Sequence, residues 1–102
     1  MVKHIILWQL KDEIQGEEKK AVMADIKEGL EGLAGQIPGL LDIKVQTECL
    51  ATSNADVMLD STFVDEQALK TYAGHPAHVK VADNNVRPFT KVRVCMDYEI
   101  NT

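Results

Sequence analysis

The stretch LDIKVQTECLATSNADVMLDSTF, residues 41–63, decides the fold. Leu41, Ile43, Val45 and Thr47 alternate with Asp42, Lys44, Gln46 and Glu48. A period of two puts one set on a core and the other in water, the mark of a half-buried strand. Val57, Leu59 and Phe63 alternate in the same way with Met58, Asp60 and Thr62. The turn residues Thr52-Ser53-Asn54 lie between, so the two strands are expected to pair as an antiparallel hairpin.

Working outward from the hairpin, the period changes on both sides. Val22, Ile26, Leu30, Leu33 and Ile37 recur at spacings of three and four, which predicts an amphipathic helix over about 17–33. Glu17 and Glu18 suit its N-terminal dipole, and Pro38-Gly39 stops it. Gly29, Gly32 and Gly35 weaken its second half, unless they serve close approach to the sheet. Ahead of the helix, Val2 to Leu10 reads as a strand with apolar groups on both faces. Beyond the hairpin, Asp65 is a fitting N-cap for a helix carrying Ala68, Leu69 and Tyr72, with Gly74 as its stop. Pro76 opens a second short helical piece through Val79 and Ala82. Val92, Val94, Met96, Tyr98 and Ile100 then alternate with Arg93, Cys95, Asp97 and Glu99 as a last strand. The order is β-α-β-β-α-β. With right-handed crossovers this is a ferredoxin-like α+β unit, a four-stranded antiparallel sheet with helices on one face.

The chain has 102 residues, enough for a single domain over 1–102. It is 45% hydrophobic and 26% charged, the balance of an ordinary globule rather than of a disordered segment. The formal charge of −5, with no cluster of Lys or Arg, argues against nucleic acid as a partner. No apolar run approaches the ~20 residues of a membrane span, and the stretch after Lys3 is too short for a signal peptide. A cytoplasmic protein without membrane partners is expected. Cys49 and Cys95 are far apart with no CxxC pattern, and read as two small buried apolar thiols.

The richest apolar set on each strand is assigned to the helices: Val2, His4, Ile6 and Trp8; Leu41, Ile43 and Val45; Val57, Leu59 and Phe63; Val92, Val94, Met96 and Tyr98. The opposite face then mixes Ile5, Leu7, Met58 and Cys95 with charges such as Lys3, Asp60, Arg93 and Asp97. A monomer would leave these apolar groups in water, so a homodimer joined through this face is expected.

Three histidines and a tyrosine carry what chemistry there is. Tyr72, His75 and His78 are spaced by threes, which places them along one side of a helical region. His4 points to the same side of the sheet, and Ile6, Trp8, Val57 and Leu59 would supply the apolar wall of a pocket. Imidazole exchanges protons near neutral pH, and a phenol can hold an enolate or carbonyl oxygen. An apolar pocket of this kind favours an enolisable small molecule. The alternative reading of the same residues is structural: His4 a satisfied core residue, His75 a helix cap and Tyr72 a packed aromatic. His75 and His78, three apart with Asp83 near in sequence, offer a spacing for zinc, but with no fixed acidic partner the signal is weak. No phosphate loop, GxSxG or dinucleotide fingerprint is present, and no metal or cofactor is expected.

The opening Val2-Lys3-His4-Ile5-Ile6-Leu7, the central Tyr72-Ala73-Gly74-His75-Pro76-Ala77-His78 and the closing Asp97-Tyr98 resemble the stress-responsive A/B barrel (Dabb) domain over nearly the whole chain. The resemblance implies a dimeric α+β barrel built from two ferredoxin-like sheets. Most bacterial members have no assigned activity. In a plant member that closes a polyketide chain by aldol condensation without a cofactor, the catalytic tyrosine and histidine match Tyr72 and His78, and a first-strand histidine matches His4. A third-strand histidine of that member falls at about Val57, where this chain is apolar, and Trp8 adds bulk on the pocket side. Three functions follow as expectations: small-molecule binding with cofactor-free acid/base chemistry (His78 as base, Tyr72 as oxyanion donor, His4 in support); a non-catalytic dimeric stress or interaction protein; and a cofactor-free monooxygenase of the dimeric barrel type.

Overall fold

In the computed structural model, which describes residues 1–100, four antiparallel strands lie in the order β2-β3-β1-β4. They are β1 (Val2–Leu10), β2 (Leu40–Gln46), β3 (Val57–Phe63) and β4 (Thr90–Glu99). Helix α1 (Gly16–Glu31) links β1 to β2, and α2 (Glu66–Gly74) and α3 (Pro76–Val81) lie between β3 and β4. A π-helical turn, Ala82–Val86, and a single 3-10 turn, Arg87–Phe89, lead from α3 into β4. This is the ferredoxin-like α+β arrangement that the sequence pattern called for, with β2 and β3 paired as a hairpin.

The local causes are visible at each junction. The Asp65 carboxylate caps α2 by accepting from the Ala68 N–H at 2.8 Å. Pro76 occupies the first turn of α3, where its missing N–H costs nothing. Helix α1 ends at Glu31, sooner than the apolar stripe does. Leu33 and Ile37 stay buried on the irregular turn that follows, whose reversal at Gly39 uses a φ of +85°. The close approach at Gly29 is made by Asn85 Nδ2 and Val81, 2.6 and 2.9 Å from where a Cβ would stand, so this glycine fits α1 against the end of α3 and the π-helical turn after it, and not against the sheet. Asp56 ties three elements together: its carboxylate accepts from the Leu10 N–H at 2.8 Å and pairs with Lys19 at 3.0 Å.

The core lies between the helices and the strands β1 to β3, with Ile6, Ile26, Leu30, Val45, Leu59, Phe63 and Tyr72 at its centre. Two expectations fail at the sheet. Leu41 does not face the helices; a register shift between Leu40 and Asp42 leaves it exposed. More consequentially, β4 has the opposite facing. Across the β1–β4 pair, His4 stands opposite Asp97, Ile6 opposite Cys95 and Trp8 opposite Arg93. Directly opposed residues share a face, so Arg93, Cys95 and Asp97 lie on the helix side. Val92, Val94, Met96 and Tyr98 lie on the outer face with Ile5 and Leu7. The rule that the most apolar set faces the helices breaks because the helices cover β1 to β3 and leave β4 bare on both sides, exposed from Lys91 to Glu99. Neither cysteine is buried as expected: Cys49 sits in the loop after β2, and Cys95 on the uncovered strand.

Candidate functional site

Where the helices stop short of β4, a cavity of about 690 Å³ opens between β1, β4, α2 and the segment after α3. Its apolar wall includes Val2, Ile6, Trp8, Leu30 and Leu59, and its polar side comes from β4 through Arg93, Cys95 and Asp97. A space of this volume suits a small molecule. His4, Tyr72 and His78 all line it, as do Ile6, Trp8 and Leu59. Val57 and His75 do not. Val57 is sealed in the core beneath the helices. His75 caps α3, its Nδ1 accepting from the Ala77 N–H at 3.1 Å, which occupies the ring in backbone work.

The rings of the central residues are in contact. The Tyr72 and His78 centroids are 4.2 Å apart at 37°, and Tyr72 meets His4 at 6.0 Å and Phe63 at 5.0 Å, both edge-on. Tyr72 is 1% exposed, held there by α2 packing on the sheet, and its hydroxyl has no hydrogen-bond partner among the described residues. A buried hydroxyl left unpaired costs about 1–3 kcal/mol. Burial pushes the phenol well above its ordinary range, against a small opposing pull from Arg93, so it remains a hydrogen-bond donor at any physiological pH.

His78 is held differently. Its Nδ1 lies 3.2 Å from the Ala73 carbonyl oxygen, which orients the ring. Burial lowers its pKa, the Ala73 carbonyl opposes that shift, and the positive charges of Arg87 and Arg93 and the neighbouring His4 add to it. The ring is therefore neutral at pH 7 and able to accept a proton. His4 is buried on the central strand, hydrogen-bonded through Nδ1 to the Asp97 carboxylate. Ser61, directly opposite His4 on β3, donates its hydroxyl to the His4 carbonyl at 3.0 Å.

Asp97, Cys95 and Arg93 are the site residues that sequence reasoning missed. The signal lies in the alternation of β4, whose polar half faces the helix side and whose apolar half faces outward, the reverse of what the apolar rule predicts. Among the described residues, one set of three side chains with metal-ligating atoms lies within mutual reach, His4, Cys95 and Asp97. His75, His78 and Asp83 form no such set.

Fold and cavity together define a ferredoxin-like α+β protein with an open small-molecule-sized hollow between sheet and helices. The family model of the stress responsive A/B barrel domain matches residues 2–100, and the chain belongs to that family. Among solved structures, a dimeric protein of unknown function with a ferredoxin-like fold from Bacteroides fragilis is 34% identical, with a TM-score of 0.90 over 97% of this chain and 95% of that one. A Dabb family protein from Mesorhizobium loti is 21% identical (TM-score 0.74, covering 99% and 97%). A hydroxynitrile lyase from Passiflora edulis is 19% identical (TM-score 0.72, covering 98% and 93%), a likeness of fold alone. No curated protein sequence matches the chain. No helix among the described residues is long and apolar enough to cross a membrane.

Proposed function

We propose that the protein binds an apolar, enolisable small molecule in the hollow beside β4 and moves a proton on it through His78 and Tyr72. The observation that carries this reading is the unpaired Tyr72 hydroxyl, buried in the wall of the hollow with a neutral imidazole in ring contact. A phenol that cannot ionise is a donor waiting for an oxygen. A neutral histidine next to it is a base whose proton affinity suits pH 7. His78 takes the proton from carbon, Tyr72 holds the oxygen on which charge develops, and His4 with Asp97 fixes the far wall. The hydroxynitrile lyase of the same fold supports the reading only in that the fold hosts an enzyme.

The test is solvent deuterium uptake at the methyl group of an aryl methyl ketone, followed by NMR. Exchange above the buffer rate is expected. His78→Ala should lower it by about 10²–10⁴, the usual contribution of a general base. Tyr72→Phe should cost about 10²–10³, as for the loss of an oxyanion donor. A His78→Ala protein that exchanges at full rate overturns the base assignment. No exchange over buffer across aryl ketones and β-keto esters overturns the acid/base reading and leaves the non-catalytic one.

The assembly is a second part of the proposal. Ile5, Leu7, Met58, Val92, Val94, Met96 and Tyr98 form a continuous apolar patch on the outer face, with Val94 56% and Met96 66% exposed. Such a patch asks for cover. We infer a homodimer through this face, in line with the description of the Bacteroides fragilis protein as dimeric. Sedimentation should give twice the chain mass at micromolar concentration, and Val94→Glu should give the single chain. A wild-type protein that sediments as a monomer rejects the dimer.

A further inference from the structure

Beyond acid/base chemistry, β1 and β4 bring three side chains of metal-binding type to one point. His4 stands directly across from Asp97, and Cys95 lies two residues along β4 on the same face. His4 Nδ1 is 3.8 Å from Cys95 Sγ, and Cys95 Sγ is 3.6 Å from Asp97 Oδ1. His4 Nδ1 and Asp97 Oδ1 are themselves hydrogen-bonded. We propose that His4, Cys95 and Asp97 are the three protein ligands of a site for a thiophilic divalent cation, zinc foremost, whose remaining position opens into the hollow.

The distances argue for it. Tetrahedral zinc with bonds of about 2.0–2.3 Å sets its ligand atoms roughly 3.3–3.8 Å apart. Two of the three separations already fall there, and the third is reached if the Asp97 carboxylate, on an exposed strand, swings away from His4. The imidazole is the fixed member: the His4 side chain is 7% exposed and wedged edge-on against Phe63 and Tyr72. Charge argues for it too. A thiolate, a carboxylate and a neutral imidazole sum to −2, so a dication makes the centre neutral and Arg93 beside it is not repelled. On binding, the Cys95 thiol proton leaves to solvent. The metal also displaces the proton that His4 Nδ1 shares with the Asp97 carboxylate; exchanged through solvent, one proton remains on the ring, at Nε2, and the Nδ1 lone pair is free for the metal. The sulfur and nitrogen donors select zinc or cobalt over magnesium or calcium. Three protein ligands with one open position is the pattern of zinc sites that bind a water or a substrate oxygen. All three ligands line the hollow that Tyr72 and His78 share.

Metal-free protein titrated with cobalt(II) tests this with no substrate. One cobalt per chain should bind, with the near-ultraviolet charge-transfer band that only thiolate ligation gives, and zinc should displace it. Cys95→Ser should abolish the band, and Asp97→Asn should weaken binding at least about 10-fold, since even outer-shell partners of a metal cost that much. Cys49→Ser, which alters the other exposed thiol, should leave the band intact. His78→Ala and Tyr72→Phe should also leave it intact, so the acid/base reading and the metal site fail separately. No band with excess cobalt on folded protein, or a band that persists in Cys95→Ser or vanishes in Cys49→Ser, overturns the site.

Discussion

The two sides of the sheet centre behave as different materials. On β3, Val57, Leu59, Ser61 and Phe63 are sealed under α1 and α2, and the strand is buried along nearly its whole helix face. On β4, two positions from β3 in the same sheet, the chain is exposed on both faces. Both strands alternate apolar and polar residues. What differs is the neighbour. On β3 the apolar set meets helices and makes the core, whereas on β4 it points outward and the polar set lines a hollow. An alternating strand thus announces that one face will be covered, but not by what.

The largest expected effect lies on the sealed side. Phe63→Ala should cost about 3–5 kcal/mol of stability in denaturant unfolding, the cavity cost of a fully buried aromatic. Met96→Ala, on the bare side, should cost less than about 0.5 kcal/mol when unfolding is measured in dilute monomer. Comparable losses at the two positions would show that β4 is covered within a single chain. Tyr72→Phe should go the other way, raising stability by about 1–3 kcal/mol, because it removes a buried hydroxyl without a partner. Its loss of ketone exchange together with that gain would mark the hydroxyl as kept for function. A Tyr72→Phe protein that is less stable would show that the hydroxyl is bonded after all. Asp65→Ala should cost about 1 kcal/mol by uncapping α2, read as a lower unfolding midpoint at unchanged slope.

The smallest effects are those of pH. His78 binds its proton less readily folded than unfolded, so between its two pKa values the unfolded chain holds more protons. Stability is then fullest above about pH 6.5 and falls as pH drops through the lower folded value. Ketone exchange should follow the same limb, level at neutral pH and lost only on the acid side of ordinary histidine. Asp56 has the same sign in a lower window. Burial opposes its charge, but the Leu10 N–H and Lys19 outweigh that and lower its pKa. The clasp it makes holds above about pH 4 and loosens below. An exchange profile centred at or above 6.5 would remove burial as the tuning influence on His78.

Much of the architecture can be read in the letters because it depends on local period. Two-residue alternation at 41–47 and 57–63, three-and-four spacing from Val22 to Leu30, a capping Asp65 and a stopping Gly74 each act within a few residues of themselves. The histidine-proline segment likewise placed Tyr72 and His78 on one side of a helical run, and the family likeness at Val2–Leu7 and Tyr72–His78 agrees with the matched domain. His75 shows the limit of such spacing. It has the right interval but spends its ring on the Ala77 N–H, a choice set by the turn it begins.

Sequence alone therefore determined which segments become strands and helices and their order, and it marked Tyr72, His78 and His4 as candidates, since those follow from backbone periodicity and residue type. Tertiary structure alone decided which way β4 faces. That depends on how far the helices reach across the sheet, a fact carried by no single stretch of chain. With that facing settled, Asp97 and Cys95 meet His4, ninety-odd residues away in the chain, because strand register and not sequence distance brings side chains together.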